Sequence, residues 1–248
     1  VESERTVILA ERGRYENEPH FLLDEELSSI AFRVHPYHHE VIGDTADLQS
    51  MTRDDLYGHY RRHYVPNNAT VIVTGDFETA DRLARVESHF GGIMLGEAVA
   101  PVLRAEPPQL GERRLTVHGP GDTAYLTLAF RAPAAAHPDY PALSLLNAAF
   151  AGGSSLGMFG GGGSNRSSRL YKALVSTELA ASAHGSLAPT VDPYLYTINA
   201  IVRAGQDIEA VEAALLAEIE RLAAEPITER ELAKALKPLV VNIAVEKS

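Results

Sequence analysis

The sequence contains no cysteine, so a disulfide framework and any site built on a thiolate are excluded. Positive charge is also scarce: 22 lysines and arginines stand against 33 aspartates and glutamates, a formal net charge of −11. A surface this acidic argues against a nucleic-acid partner and against an anionic membrane surface. It suits cationic peptides, although it also serves plain solubility. No apolar run is long enough to span a bilayer.

What is present is enough for a folded core. The length of 248 residues suits one large domain or two of ordinary size, and 45% of the residues are apolar. Proline and small or charged residues crowd positions 93–112, which we interpret as a linker between residues 1–92 and 113–248. The expected fold class is α+β, with two related α/β units whose mainly antiparallel sheets are flanked by helices.

Periodicity and capping residues locate the elements. Thr52 is a predicted helix N-cap, and Thr228 with Glu231 forms a predicted capping box before a last helix that contains Pro238. Apolar periodicity predicts helices over residues 2–17, 22–33, 52–64, 79–90, 139–150, 166–175 and 207–223. Strand patterns cover residues 69–74, 114–118, 124–131, 179–187 and 194–203, and the last two are expected to pair.

The first predicted helix carries Glu4 and Glu11 on one face, because seven residues make nearly two helical turns. Two carboxylates on a helix face with an apolar edge suit a hard or borderline cation, or an acid–base role. Spacing alone favours the simpler interpretation, a solvated acidic face with Arg5 and Arg12 as its partners.

Two groups of histidines have partial metal-ligand patterns. His35, His38 and His39 could hold a metal, but a proline follows His35 and adjacent side chains are not expected to converge on one point. His59 and His63 have the i, i+4 spacing of zinc ligands. Their helix is otherwise aromatic and basic, which favours packing or surface roles over a metal site.

Residues 151–165 are rich in glycine. A phosphate-binding loop would need a lysine and a preceding strand, and this stretch has neither. We therefore expect a loop that does not bind phosphate.

An ordered series of short segments runs through the whole chain, and no single segment is diagnostic. The segments are residues 2–8, 15–19, 35–37, 41–43, 47–48, 52–56, 60, 64–69, 167–175 and 226–232. In this order they resemble the insulinase/pitrilysin family of zinc peptidases, specifically the short bacterial branch related to the mitochondrial processing peptidase.

The resemblance implies a zinc site of which this sequence carries one part. The family binds zinc through an H-x-x-E-H motif and a glutamate on a later helix. None of the ten histidines opens that motif. By resemblance, Glu11 falls at the third zinc ligand, and Glu4 at an acidic residue that supports catalysis. The chain is then expected to be a fragment that starts just before the third ligand, is inactive alone and does not bind zinc stably.

The resemblance also implies which portion of a peptidase each unit represents. Residues 1–92 would be the back portion of an N-terminal peptidase unit, and residues 113–248 a C-terminal peptidase-like unit that is truncated at its end. In two-component members, a partner chain supplies an arginine and a tyrosine that hold the substrate. The matching positions here are approximately Val175 and Ala181, whose side chains cannot donate a hydrogen bond.

The expected parent protein is a zinc metalloendopeptidase that cleaves peptides or small unfolded polypeptides in an enclosed chamber. It would work with a second homologous subunit that carries the arginine–tyrosine pair. One alternative is a non-catalytic peptidase-like subunit that binds substrate or a catalytic partner, and another is an unrelated α+β interaction domain. The resemblance slightly favours a periplasmic or other extracytoplasmic location and leaves the cytoplasm open.

Overall fold

The computed structural model describes residues 1–101, 104–152 and 166–246, with side chains up to residue 237. The chain divides into two compact units, Val1–Val117 and His118–Ser248. Most of the glycine-rich stretch, residues 153–165, lies outside the described residues, so the prediction of a loop there stays a prediction.

Helices are the regular elements of the first unit. Its α-helices are α1 (Glu2–Tyr15), α2 (Pro19–Ala31), α3 (Thr45–Ser50), α4 (Arg53–His63) and α5 (Thr79–Phe90). Thr52 caps α4 as predicted: its hydroxyl accepts the Asp55 N–H, and the Asp55 carboxylate accepts the Thr52 N–H at 2.8 Å. This reciprocal pair satisfies two backbone donors that a helix N-terminus leaves free.

The predicted strands at 69–74 and 114–118 were wrong, since neither segment forms a strand. The apolar run that suggested the first of them is largely in solvent, and Ile72 is 81% exposed. A strand needs a neighbour that shares its backbone hydrogen bonds, and a periodic pattern cannot supply one. Among the residues that the structure describes, no segment pairs with either stretch.

The predicted linker returns to the end of α2. The Glu106 carboxylate accepts hydrogen bonds from three consecutive backbone N–H groups, those of Arg33, Val34 and His35, at 2.8, 2.9 and 3.1 Å. Arg113 donates to the carbonyl oxygens of Ile30 and Ala31, the last of α2. The segment that contains Glu106 and Arg113 is therefore bound to the first unit.

The second unit is built on a three-stranded antiparallel sheet. Its strands are β1 (Tyr125–Ala132), β2 (Ala180–Leu187) and β3 (Tyr194–Val202), in the order β1-β3-β2. The predicted pairing of the last two strands is confirmed, with His184 opposite Asn199. The helices are α6 (Tyr140–Phe150), α7 (Ile208–Ala224) and α8 (Glu229–Glu246), and a π-helical turn covers Tyr171–Val175.

The core of the second unit lies on one face of this sheet. Its least exposed large side chains come from both the helices and the sheet: Phe150, Leu170, Leu174, Ile198, Val211 and Leu215. Tyr196 points to the same side, where its hydroxyl donates to Asn147 Oδ1 at 3.1 Å. Burial raises the pKa of Tyr196 well above its usual value, so the hydroxyl stays protonated and acts as a donor.

A buried ion pair joins the turn before the π-helical segment to α8. Arg169 donates from two nitrogens to the two carboxylate oxygens of Glu231, both at 2.9 Å, and also to the carbonyls of Glu225 and Pro226. Glu231 in turn accepts the Thr228 N–H at 2.9 Å, so the predicted capping box is confirmed. The same carboxylate thus caps a helix and neutralises a buried guanidinium.

Candidate functional site

The rotational setting of α1 is fixed by two arginines on its inner side. Arg5 donates from its guanidinium to three carbonyl oxygens at the end of α3, those of Leu48, Gln49 and Met51, at 2.6, 2.6 and 2.7 Å. Arg12 is 6% exposed and donates to the Gly43 carbonyl at 2.8 Å. Since both arginines point toward the loop that ends in α3, the opposite side of α1 faces outward.

Arg12 also closes an ion-pair network. It lies 2.6 Å from Glu25 on α2 and 3.0 Å from Glu16, one turn further along the chain. The hydrogen bond to Glu25 raises the pKa of the Arg12 guanidinium above its usual value. Arg5 pairs with Glu2, and Arg12 with Glu16 and Glu25, so the partners expected in the simpler interpretation were wrong. Glu4 and Glu11 themselves are exposed, as that interpretation expected.

Glu4 and Glu11 are both exposed side chains, on an outer stripe of α1 that lies about 100° around the helix axis from Arg5 and Arg12. At 100° per residue, Glu4, Glu11 and Tyr15 fall within about 40° of one another around the helix axis. Tyr15 donates its hydroxyl to Glu11 Oε1 at 3.0 Å. One stripe of the helix thus carries two carboxylates and a phenol, and the phenol contacts the second carboxylate.

This stripe can supply one ligand to a zinc ion. Structural and catalytic zinc sites take three or four nitrogen, sulfur or oxygen ligands from the protein. No group of three or more histidine, aspartate or glutamate side chains among the described residues is placed to hold a metal. Glu11 has one oxygen bonded to Tyr15 and one oxygen left for an ion, so it can supply one ligand of a larger set.

His35, His38 and His39 lie in and beside a short turn. His35 is buried, and its Nδ1 accepts the Tyr37 N–H at 3.1 Å, which makes it part of the turn itself. The turn at Pro36–His38 brings the Nε2 atoms of His38 and His39 into contact, and no third metal-ligating side chain among the described residues completes a metal site with these two rings. His39 Nδ1 lies 3.7 Å from an Asp44 oxygen.

His59 and His63 stack on one face of α4, with ring centroids 4.3 Å apart. Tyr57, Tyr60 and Tyr64 form a second row along the same helix, with adjacent ring centroids 6.3 and 5.2 Å apart. The histidine pair is therefore one of several aromatic contacts along an exposed helix, in keeping with the packing interpretation.

The positions that match the arginine–tyrosine pair lie just before and within the start of β2. Val175 ends the π-helical turn, and Ala181 falls at the irregularity between β2 and β3. Neither side chain offers a donor. Sequence reasoning missed Tyr15, although its spacing of four residues from Glu11 is a recognisable signal for a contact along a helix.

Comparison with known proteins gives consistent matches. Residues 50–239 match the family described as the peptidase M16 inactive domain. Zinc protease PqqE of Helicobacter pylori is 30% identical over 236 residues, which are 93% of this chain and 50% of that protein. The beta subunit of the mitochondrial-processing peptidase of Lentinula edodes is 25% identical over 256 residues, 98% of this chain and 52% of that protein. The chain spans about half the length of these relatives.

The fold agrees with a solved structure. The crystal structure of a protease from Helicobacter pylori has a TM-score of 0.86 and 28% identity, and the match covers 99% of this chain and 58% of that one. No described helix is both long and apolar enough to cross a membrane. The resemblance read from the sequence is thereby confirmed at the level of the family: the chain belongs to the M16 peptidases, and residues 50–239 match their inactive domain.

Proposed function

We propose that this chain is part of a zinc-dependent metalloendopeptidase that cleaves peptides or small unfolded polypeptides. The observation that carries the proposal is the position of α1 relative to the family match. The inactive-domain match begins at residue 50, so the helix with Glu4 and Glu11 lies outside it. A chain that joins an inactive domain to an exposed acidic helix fits the junction between two halves of such an enzyme.

In this proposal Glu11 is the zinc ligand that the chain contributes. The Glu11 side chain is exposed. Its Oε1 accepts the bond from Tyr15, and its second oxygen is available to a metal. When bound, the zinc would activate a water molecule for attack on a peptide carbonyl. The remaining ligands and the general base belong to the H-x-x-E-H motif, which this sequence does not contain. The chain alone is therefore proposed to be inactive and to bind zinc weakly.

Glu4 has a different role in the proposal. Seven residues of helix place it about 10 Å from Glu11 along the axis, whereas zinc–carboxylate bonds are about 2 Å long. The two carboxylates are therefore too far apart to ligate one ion. Glu4 is proposed to act on the substrate or on the polar groups around the zinc, as an acidic residue that supports catalysis.

The second unit is proposed to form a wall of the substrate chamber without holding the scissile bond. Because Val175 and Ala181 offer no hydrogen-bond donors, the arginine–tyrosine pair would come from a second homologous subunit. The net charge of −11 favours cationic peptides over acidic ones as ligands. An extracytoplasmic location is part of the proposal and rests on the family resemblance alone.

The test uses the full-length protein from which the chain comes, together with its partner subunit. Glu11→Gln is expected to abolish hydrolysis of a fluorogenic peptide, because a neutral amide is a poor zinc ligand. Glu220→Gln, an exposed glutamate on α7, is the matched control and should keep activity. Peptidase activity in Glu11→Gln equal to that of the control would rule the assignment out.

The inactive-domain match favours a second candidate, a non-catalytic peptidase-like subunit that binds substrate or a catalytic partner. The two candidates differ in zinc content. A full-length protein that contains no zinc after purification without chelators, and still binds peptide, would support the second candidate.

A further inference from the structure

We propose that Tyr15 is a positioning residue for Glu11: its hydroxyl holds the carboxylate so that a single oxygen faces the zinc. This inference rests on the proposed function, because it takes Glu11 as a zinc ligand. The contact that carries it is the hydrogen bond from the Tyr15 hydroxyl to Glu11 Oε1 at 3.0 Å. The two residues are one helical turn apart on the outer stripe of α1.

The Tyr15 ring is itself held in place, so its hydroxyl has a defined position. The ring stacks on Phe21 of α2, with centroids 5.5 Å apart and planes inclined by 27°. The Arg14 guanidinium lies over the Tyr15 ring at 5.1 Å from the centroid. Aromatic stacking and cation–π contact each restrict the ring, and together they direct the phenol along α1 toward Glu11.

The contacts that hold the Tyr15 ring extend to the buried side of α1. The Arg12 guanidinium lies 5.8 Å from the Phe21 centroid and is fixed by its bonds to Glu25 and to the Gly43 carbonyl. Phe21 therefore connects the half-buried Tyr15 ring to the ion-pair network of Arg12. An exposed glutamate without such contacts would sample several rotamers.

The consequence for a metal is a defined coordination mode. With Oε1 engaged by the phenol, Glu11 would offer a bound zinc ion its other oxygen, Oε2. Groups that hydrogen-bond a ligating residue orient it, and their removal typically weakens metal binding by about 10- to 100-fold. We assign this role to Tyr15.

The experiment measures zinc affinity in the full-length protein by competition with a chromophoric chelator. Tyr15→Phe keeps the ring on Phe21 and removes only the hydroxyl, and it is expected to weaken zinc binding by about 10-fold. Tyr57→Phe, on the exposed face of α4, is the control and should leave the affinity unchanged. The melting temperature of the zinc-free protein should be the same for all three proteins.

A double-mutant comparison separates positioning from a general effect on the helix. In a Glu11→Gln background, Tyr15→Phe should have no further effect, because the hydroxyl acts through the carboxylate. If Glu11→Gln weakens zinc binding and Tyr15→Phe does not, the role of Tyr15 is overturned and the ligand assignment stands. If Glu11→Gln leaves the affinity unchanged, the proposed function itself fails. An equal loss from Tyr15→Phe in both backgrounds would also overturn the positioning role.

Discussion

Single side chains hold the loops of this protein by binding backbone groups. Arg5 and Arg12 each bind carbonyl oxygens of the segment between α2 and α4, and Glu106 binds three consecutive amides after α2. Such contacts satisfy backbone groups that irregular segments cannot pair among themselves. The loss of one side chain therefore affects several backbone groups at once.

Arg12→Met tests the contribution of the buried guanidinium. The substitution keeps the aliphatic stem, removes the bonds to Gly43 and Glu25, and leaves Glu25 without its cation. We expect the free energy of unfolding to fall by about 2 kcal/mol in urea titrations. Arg53→Met is the matched control, because that side chain is 70% exposed and contacts only surface groups in the described residues, the Asp54 carboxylate and the Tyr57 ring. Its effect should stay below about 0.5 kcal/mol.

Gly185→Ala tests the packing of β2 against α6. A Cβ at this position would collide with Asn147 Oδ1 and would lie 2.6 Å from the Tyr196 hydroxyl oxygen. Because both atoms belong to one buried hydrogen bond, we expect a loss of about 1–3 kcal/mol in chemical unfolding. Gly111→Ala, where an added Cβ meets nothing within 4 Å, should be nearly neutral. Equal stability of the two variants would contradict this packing.

At the scale of elements, α8 is attached to the second unit through its N-terminus. Bonds from Arg169 and Thr228 hold the pKa of Glu231 well below its usual range. A carboxylate with a lowered folded-state pKa stabilises the fold above about pH 4.3, and this stabilisation is lost as the pH falls toward the folded-state value.

Glu231→Gln should therefore be destabilised by about 3 kcal/mol at pH 7, because it leaves a buried arginine without its anion. The difference from the wild type should shrink as unfolding is repeated from pH 5 down to pH 2. Glu229→Gln, an exposed residue of the same helix, is the control. If the difference in unfolding free energy between the two proteins grew on acidification, the Glu231 carboxylate would not stabilise the fold through its lowered pKa.

A separate prediction concerns Glu106, which lies in the segment after α5. Glu106→Gln keeps the size of the side chain but removes the charge that three backbone amides share, so the turn at 33–35 should open more often. Hydrogen exchange at the amides of Arg33, Val34 and His35 is expected to accelerate by about 10-fold. Glu112→Gln, whose carboxylate contacts surface Arg114, should leave these amides unchanged.

Elements with local signals could be predicted from the sequence. The N-cap at Thr52 and the capping box at Thr228 are confirmed, as are the helix at Thr79–Phe90 and the pairing of β2 with β3. These features depend on residues close in sequence, or on long alternating runs. The strands predicted at 69–74 and 114–118 failed, because neither run has a described strand beside it. The helix predicted over 166–175 is helical only toward its end, which forms a π-helical turn.

The candidate site shows the same division between local and distant information. The shared face of Glu4 and Glu11 follows from helix geometry, and Tyr15 could have been added by the same rule. The partners of Arg5 and Arg12 could not be predicted, because the carbonyls of residues 43–51 are brought to them by the tertiary fold. Spacing along α1 suggested Glu4 and Glu11 as their partners instead.

At the scale of the whole molecule, the chain is an M16 family member that spans about half the length of the relatives compared with it. The relative in Helicobacter pylori is named a zinc protease. Membership explains the fold of residues 50–239. The function we propose depends in addition on the helix that precedes them, and on whether its carboxylate binds metal.

The most direct test is the zinc content of the full-length protein, measured by elemental analysis after purification without chelators. The account predicts about one zinc per full-length chain in the wild type and most of it lost in Glu11→Gln, while Glu220→Gln keeps it. Zinc retained in Glu11→Gln at the level of the wild type would contradict the assignment of Glu11 as a ligand and, with it, the central claim.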